Sequence, residues 1–146
     1  PLTWDALIDM QTELAAANAL TEGSSGYVIN ARTRGKLMKT LDQSTGGGNW
    51  IYQSQGGNMG SIAGYKALCS NQILNNLVKG TATNLTSAFF GDFSNVLLGI
   101  WSGMDVMANP YTEFSQAIIQ VRAMQLADLN LSRGDHFCVC TDIINS

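Results

Sequence analysis

Apolar residues near the amino terminus of the chain recur at the spacing of a helix. They lie three or four positions apart and so share one helix face; they are Leu7, Met10, Leu14 and Ala17. Thr3 precedes this pattern as a typical N-cap residue. The spacing therefore predicts a helix over about Trp4–Leu20 with its apolar face buried.

A strand and a second helix follow. Tyr27-Val28-Ile29 is a short apolar run between turn-forming residues, which predicts a central strand. Asn30 is a typical N-cap and predicts a helix from Ala31 to about Leu41. Three cations lie three or four positions apart on the outer face of this helix, namely Arg32, Lys36 and Lys39. We interpret them as a solvated face rather than a phosphate site, because the net charge of the chain is −3.

Two apolar runs, Ala88–Phe90 and Val96–Trp101, lie within the stretch Ser87–Tyr111. Both runs are too short for an independent helix and are rich in aliphatic and aromatic residues, so they predict buried strands. The residues between them, Gly91–Asn95, are turn formers and should reverse the chain. Pro110 has no N–H to donate, so it should end the strand that precedes it.

Other stretches give weaker signals. Ser44–Gly60 contains six glycines but no phosphate-binding motif. It predicts a loop that is mobile or ordered by a partner, with Trp50–Tyr52 as a candidate short strand. Ile73–Thr86 is polar and predicts a loop with at most one helical turn.

The carboxy-terminal part carries two conflicting patterns. The first half of Thr112–Leu131 has apolar residues at helical spacing, whereas apolar and polar residues alternate from Ala127 to Leu131 as in a strand. Both interpretations remain open from the residues alone. Ser132–Asp135 predicts a turn, and His136–Thr141 predicts a final strand.

The composition limits the classes of partner. Charged residues make up 13% of the chain, about half of the ~25% share of an average protein. The net charge of −3 provides no general attraction for nucleic acid or an anionic membrane. No apolar run approaches the ~18 residues that would cross a bilayer, so we expect no membrane partner. A polar surface with few charges suits extensive contact with copies of the same chain.

The last predicted strand carries a candidate metal-ligand set. His136, Cys138 and Cys140 alternate, so a strand would place all three on one face. Structural zinc sites need a fourth ligand and wider spacing, so we interpret these residues as ordinary strand packing. The sequence therefore predicts no metal, cofactor or catalytic residue. The competing hypothesis is a small cytosolic α/β enzyme or binding module with a pocket near His136, the only histidine.

The central stretch resembles the tailed-phage major capsid proteins of the Hong Kong 97 type. The resemblance lies in the Gly91-Asp92-Phe93 turn, the apolar run after it, the Gly103-x-Asp105 segment and the Asn109-Pro110-Tyr111 segment. Tyr27–Asn30 also fits the family's strand before a short helix, although Ala31 replaces the usual proline. The match is to the carboxy-terminal portion of such a protein. The family's amino-terminal arm, hairpin loop and spine helix would precede Pro1.

The resemblance implies an α+β fold in which a mixed sheet is flanked by a few helices, as in the axial domain of that capsid fold. About 3–110 would be the axial-type domain, and about 111–146 would be strands returning to the peripheral-type domain. The resemblance also favours one long strand over Ile118–Asn130. Some members cross-link their hairpin-loop lysine to an asparagine in the segment after the axial domain. Near that place this chain reads Phe114-Ser115-Gln116-Ala117, and because the hairpin loop would precede Pro1, we expect no such bond.

The implied function is structural and not enzymatic: a major capsid subunit that self-assembles into the icosahedral shell of a tailed phage or prophage. The implied partners are copies of itself in pentamers and hexamers, with a scaffold protein and a maturation protease as further candidates. Packaged DNA would be only an indirect partner. The expected location is the virion capsid, and before assembly the cytoplasm of the bacterial host.

Overall fold

A computed structural model of the chain describes residues 2–21, 23–43 and 47–144. The chain forms two compact units. We call them the sheet unit, which comprises Pro1–Asn95 and Arg133–Ser146, and the ribbon unit, which comprises Val96–Ser132. Within the described residues, no helix has the length and apolar character that crossing a membrane requires.

Two α-helices and eleven strands occur in the described residues. The helices are α1 (Trp4–Ala16) and α2 (Ala31–Leu37). The strands are β1 (Ser25–Ile29), β2 (Tyr52–Gly56), β3 (Met59–Ile62), β4 (Tyr65–Cys69), β5 (Leu77–Lys79), β6 (Ala82–Asp92), β7 (Val96–Ile100), β8 (Asp105–Asn109), β9 (Gln120–Met124), β10 (Ala127–Leu131) and β11 (Phe137–Ile144). Short 3₁₀ turns lie at Phe93–Asn95, Phe114–Gln116 and Gly134–His136.

Strand β6 connects the parts of the seven-stranded sheet in the sheet unit. The strand order is β11-β6-β1-β4-β3-β2, and β5 pairs with the first part of β6. Strands β1 and β4 are parallel, and the other neighbouring strands are antiparallel. This mixed sheet with two helices confirms the predicted α+β fold class.

A row of side chains crosses one face of the sheet and forms the centre of the core. The strand register places Cys138 beside Phe90, Phe90 beside Tyr27, and Tyr27 beside Ala67. The ring centroids of Tyr27 and Phe90 are 4.3 Å apart, and both side chains are buried. The apolar face of α1 completes the same core, so this helix covers the β6–β11 part of the sheet.

The hydroxyl of Tyr27 joins the sheet to α1. It donates a hydrogen bond of 2.8 Å to the Leu7 carbonyl and accepts one of 2.9 Å from Gln11 Nε2. Burial raises the pKa of the Tyr27 hydroxyl above its ordinary value, although the bond from Gln11 opposes this shift. The group therefore stays protonated, and its hydrogen-bonding capacity is used inside the core.

Both predicted N-caps are confirmed. The N–H of Ala6 donates to Thr3 Oγ1 at 3.4 Å, and the N–H of Arg32 donates to Asn30 Oδ1 at 2.9 Å. These bonds satisfy donors of the first helical turn that have no partner within the helix. The residue types at the two helix starts therefore predict both caps correctly.

Both helices end earlier than predicted. Helix α1 stops at Ala16, because Asn18 adopts a left-handed φ of 52°. Ala17, which the spacing predicts to be buried, is exposed. Helix α2 stops at Leu37 rather than at about Leu41, because the N–H groups of Lys39 and Thr40 bond to carbonyls three residues back and tighten the chain into a turn.

Three strand predictions have clear outcomes. Tyr27–Ile29 is confirmed as part of β1, and β8 ends immediately before Pro110, as expected. The candidate strand Trp50–Tyr52 is confirmed only in part. Trp50 forms an isolated bridge with Leu41, and β2 begins at Tyr52.

Two segments predicted as loops contain β-hairpins instead. In Ser44–Gly60, strands β2 and β3 pair across a turn at Gly57-Asn58, and Gly56 and Gly57 adopt left-handed φ values of 102° and 57°. Residues 44–46 of this segment lie outside the described residues. In Ile73–Thr86, β5 pairs with β6 across a turn that contains Gly80 at a φ of 59°. The loop predictions are wrong there because these glycines form hairpin turns.

The ribbon unit consists of two antiparallel strand pairs, β7 with β10 and β8 with β9. The prediction of one strand over Ile118–Asn130 is wrong, because β9 and β10 belong to different pairs. The chain changes partner at Leu126, whose N–H donates to Ser102 Oγ and whose carbonyl accepts from the Trp101 N–H. The predicted turn at Gly91–Asn95 contains a 3₁₀ turn, and the strands on its two sides lie in different units.

We predict that Tyr27→Phe destabilises the protein by about 1–2 kcal/mol. The substitution keeps the ring in the core but leaves the Leu7 carbonyl and the Gln11 amide without their partner. Chemical denaturation monitored by circular dichroism measures the change in the free energy of unfolding.

Tyr65→Phe is the matched control. Tyr65 also contacts Phe90, with ring centroids 5.3 Å apart, but its hydroxyl makes no hydrogen bond to another described residue. We expect its unfolding midpoint to stay close to that of the unchanged protein. Equal losses in the two variants would contradict the role assigned to the Tyr27 hydroxyl.

Candidate assembly surface

The β7–β10 ribbon has one wholly apolar face. Antiparallel register places Ile100 opposite Ala127, Leu98 opposite Leu129, and Val96 opposite Leu131. Alternate residues along a strand point to opposite faces, so these six side chains share one face. We call them the apolar ribbon face. The other face carries Asp128 and Asn130 beside Leu97 and Gly99.

The apolar ribbon face is open to solvent. At its centre, Leu98 and Leu129 expose 64% and 60% of their surfaces, and Ile100 exposes 57%. A two-stranded sheet is marginally stable in water unless a further layer covers its apolar side. Contiguous apolar surface of this kind marks a site of interaction. The apolar ribbon face is therefore suited to burial against a further element or another chain.

The second strand pair of the ribbon unit repeats this arrangement. Val106 lies opposite Ala123, and Ala108 lies opposite Val121, so four small or branched apolar side chains share one face of the β8–β9 pair. Every residue of these two strands is exposed. Both pairs thus have an apolar face that the described part of the ribbon unit does not cover.

The prediction that Val96–Trp101 is a buried strand is half wrong. The segment does form β7 up to Ile100, but most of its residues are exposed, and Trp101 exposes 70% of its surface. A run of apolar residues indicates that a surface is suited to burial, and it does not identify what covers that surface. The apolar face of the β8–β9 pair was not predicted, although Val121 and Ala123 alternate with Gln120 and Arg122 in β9.

A polar cluster lies where the chain leaves the sheet unit and returns to it. Asp92, at the end of β6, accepts bonds from the N–H and hydroxyl of Ser94 at 3.0 and 2.7 Å. Asn95 Nδ2 donates to Asp92 Oδ2 at 3.1 Å and lies 3.0 Å from Nδ1 of His136 on the returning segment. An amide nitrogen only donates, so His136 Nδ1 accepts. These bonds connect the two ends of the ribbon unit's insertion.

Asp92 is the acidic centre of this cluster. The hydroxyl of Ser24, together with the hydroxyl and N–H of Ser94, lowers the pKa of Asp92 to about 2, although burial opposes this shift. Ser24 Oγ forms no hydrogen bond among the described residues, so the low pKa of Asp92 is better explained by the two bonds from Ser94. His136 Nδ1 lies 4.0 Å from Asp92 Oδ2. The carboxylate is therefore held in its charged form.

The predicted alternation of His136, Cys138 and Cys140 along one strand is wrong for the histidine. His136 lies in a 3₁₀ turn, and β11 begins only at Phe137. The imidazole therefore contacts Asn95 and does not share the strand with the two cysteines. Cys138 and Cys140 pack against the core, where burial raises the pKa of both thiols. They are therefore protonated and poor nucleophiles. Within residues 2–21, 23–43 and 47–144, no three metal-ligating side chains group together.

The sequence matches a family model described as "Phage capsid family" over residues 1–142. It is 28% identical over 136 residues to a major capsid protein of Halomonas phage phiHAP-1. That alignment covers 93% of this chain and 20% of the relative.

Solved structures share the fold. The structure named "Capsid of empty GTA particle computed with C5 symmetry" aligns with a TM-score of 0.67 at 17% identity, over 95% of this chain and 44% of the other. A structure named for Mycobacterium phage Che8 aligns with a TM-score of 0.61 at 15% identity, over 93% and 47% of the two chains. The chain thus spans about a fifth of the curated relative and less than half of these two structures.

We predict that acid removes the stabilisation contributed by Asp92. Because the pKa of Asp92 is about 2 in the folded protein and ~3.9 in an unfolded chain, the contribution is complete above about pH 5. It is lost as the pH falls through about 2, and it amounts to about 2–3 kcal/mol. Asp92→Asn should flatten this part of the profile of unfolding free energy against pH.

Denaturant unfolding at several pH values between about 6 and 2 measures the effect as the difference between the two proteins. Asp135→Asn, an exposed change near the same cluster, is the control and should leave the profile unchanged. If the unchanged protein and Asp92→Asn lose stability in parallel on acidification, the role of the carboxylate is disproved.

Proposed function

The chain belongs to the phage capsid family, and we propose that it is part of a major capsid subunit that self-assembles into the icosahedral shell of a tailed phage or prophage. The single observation that carries the proposal is the pair of uncovered apolar faces in the ribbon unit. A shell needs repeated, modest interfaces whose symmetry closes, and such faces supply contact area without a catalytic pocket.

We further propose that the rest of the same subunit covers the apolar ribbon face, so that the apolar face of the β8–β9 pair is the one left for contact between copies. The support is length, because this chain covers only 20% of a curated relative and 44% of a similar solved structure. An amphipathic two-stranded ribbon becomes stable when a third strand or a helix packs against it. In the intact subunit, the β7–β10 ribbon would then have no uncovered apolar face.

The finer assignments are part of the same proposal. Copies of the subunit form pentamers and hexamers, and the C5 symmetry of the related GTA capsid structures supports the five-fold case. A scaffold protein and a maturation protease are further partners, whereas packaged DNA is an indirect one. The subunit resides in the virion, and in the bacterial host cytoplasm before assembly.

The protein acts as a structural component and not as an enzyme. The geometry around His136 supports this view, because its Nδ1 is bonded to Asn95 between two segments of chain. The division into an axial-type domain over about 3–110 and peripheral-type strands over about 111–146 stays a prediction. The two compact units have other bounds.

Electron microscopy of the product of the full reading frame tests the function. We expect closed shells, or rings of five or six subunits, when the protein is expressed alone or with the genes next to its own. Uniform small particles under every condition would contradict the proposal, and attention would then return to His136.

Leu129→Asp in the intact subunit should abolish shells. The substitution places a charge at the centre of the apolar ribbon face, opposite Leu98, where burial of an unpaired charge is costly. Sedimentation should show loss of the assembled fraction. Far-ultraviolet circular dichroism should still show the sheet unit, whose core does not contain this residue.

Asn130→Asp is the matched control, because it adds the same charge one position along β10 on the polar face. We expect it to assemble like the unchanged protein. Equal loss of assembly in both variants would show that charge alone is responsible, and the role of the apolar ribbon face would be rejected.

A further inference from the structure

The two helices of the sheet unit carry opposite charges on their exposed faces. Helix α1 has Asp5, Asp9 and Glu13 four residues apart, so the three carboxylates form one stripe. In and just after α2, Arg32, Lys36 and Lys39 lie three or four residues apart and form a second stripe. We call these the acidic stripe and the basic stripe.

The stripes do not neutralise each other within the chain. Among the described residues, the ion pairs are Lys79 with Asp142 and, when protonated, His136 with Asp92, and neither involves a stripe. Lys36 Nζ donates to the Ile144 carbonyl at 3.2 Å, which leaves its charge without an anionic partner. Asp9, Glu13, Arg32 and Lys39 are exposed.

The stripes contain a large share of the chain's charge. Three of the eleven acidic residues and three of the eight basic residues lie in them. At ~1.5 Å per residue, the acidic stripe is about 12 Å long and the basic stripe about 10 Å long. The two stripes therefore match in length, number of charges and opposite sign.

We propose that the acidic stripe of one copy binds the basic stripe of the next copy in a ring. This inference rests on the proposed capsid function and names the surfaces that would meet. A head-to-tail ring needs two different, mutually complementary patches on every copy, and a chain that carries both stripes unpaired supplies them. Complementary charges also favour the correct register between neighbours.

A second copy is favoured over DNA as the occupant of the basic stripe. The net charge of the chain is −3, and the acidic stripe on the same unit repels phosphates. DNA binding by Arg and Lys gains affinity from several simultaneous phosphate contacts, and three cations over about 10 Å supply few of them. A neighbouring acidic stripe matches that short length.

Reversing the charge of the stripes in the intact subunit tests the proposal. One variant carries Asp5→Lys with Glu13→Lys, a second carries Arg32→Glu with Lys39→Glu, and a third combines all four changes. Asp9 and Lys36, the central residues of the two stripes, are left unchanged, so their attraction persists in every variant, and Lys36 keeps its bond to Ile144. Each two-site variant should increase the unassembled fraction about tenfold, because like charges then face each other.

The combined variant is the decisive sample. It restores opposite charges at every contact, so we expect assembly to return to within about twofold of the unchanged subunit. Lys66→Glu with Arg133→Glu is the matched control, since it changes the net charge as much as the basic-stripe variant does at exposed sites elsewhere. It should assemble normally. Circular dichroism verifies that each variant is folded.

The outcomes separate this inference from the proposed function. If the unchanged subunit never assembles, the capsid function fails and the inference fails with it. If the unchanged subunit forms shells and the reversed variants do so equally well, or the combined variant shows no rescue, only the inference is overturned. Normal shells of the basic-stripe variant with a reduced nucleic acid content would assign that stripe to DNA and also overturn it.

Discussion

The pairing of β11 with β6 is the constraint on which the rest of the structure depends. The chain leaves the sheet unit after β6, forms the whole ribbon unit, and returns to place β11 beside the strand from which it left. Closing such an insertion costs conformational entropy, which contacts at its two ends offset. The bonds among Asp92, Asn95 and His136 lie at those ends. They stabilise the sheet edge at the point where the chain enters and leaves the insertion.

The two units differ in how far they satisfy their own apolar residues. In the sheet unit, Tyr27, Phe90 and the apolar face of α1 meet in one core, and the Tyr27 hydroxyl that enters it is hydrogen-bonded within the chain. In the ribbon unit, alternate residues of β7 and β10 form an apolar face that stays open. The apolar residues of the sheet unit are thus buried by contacts within the chain, whereas those of the ribbon unit remain available for contact with another surface.

This difference explains how much of the molecule could be predicted from the sequence. The caps at Thr3 and Asn30 and the strand in β1 depend on neighbouring residues, and local patterns predict them correctly. The hairpin of β5 with β6 depends on a left-handed Gly80 and on long-range pairing, and a polar stretch gives little sign of either. The apolar run Val96–Trp101 predicts the strand β7 correctly but wrongly places it in the core. Periodicity indicates which face of an element is suited to burial, but it does not identify what packs against that face.

Open apolar faces also connect the stability of the ribbon unit to the burial of those faces by a further surface. Completing the burial of Leu98, Ile100, Leu129 and Leu131, each 42–64% exposed, would contribute on the order of 4 kcal/mol. That amount is a large fraction of the 5–15 kcal/mol that stabilises a typical domain. The β7–β10 ribbon is therefore less stable before its apolar face is covered and more stable afterwards. If the rest of the subunit supplies the cover, as proposed, the β7–β10 ribbon becomes rigid when the subunit is complete, and the proposed pairing of the acidic and basic stripes would then select the neighbouring copies.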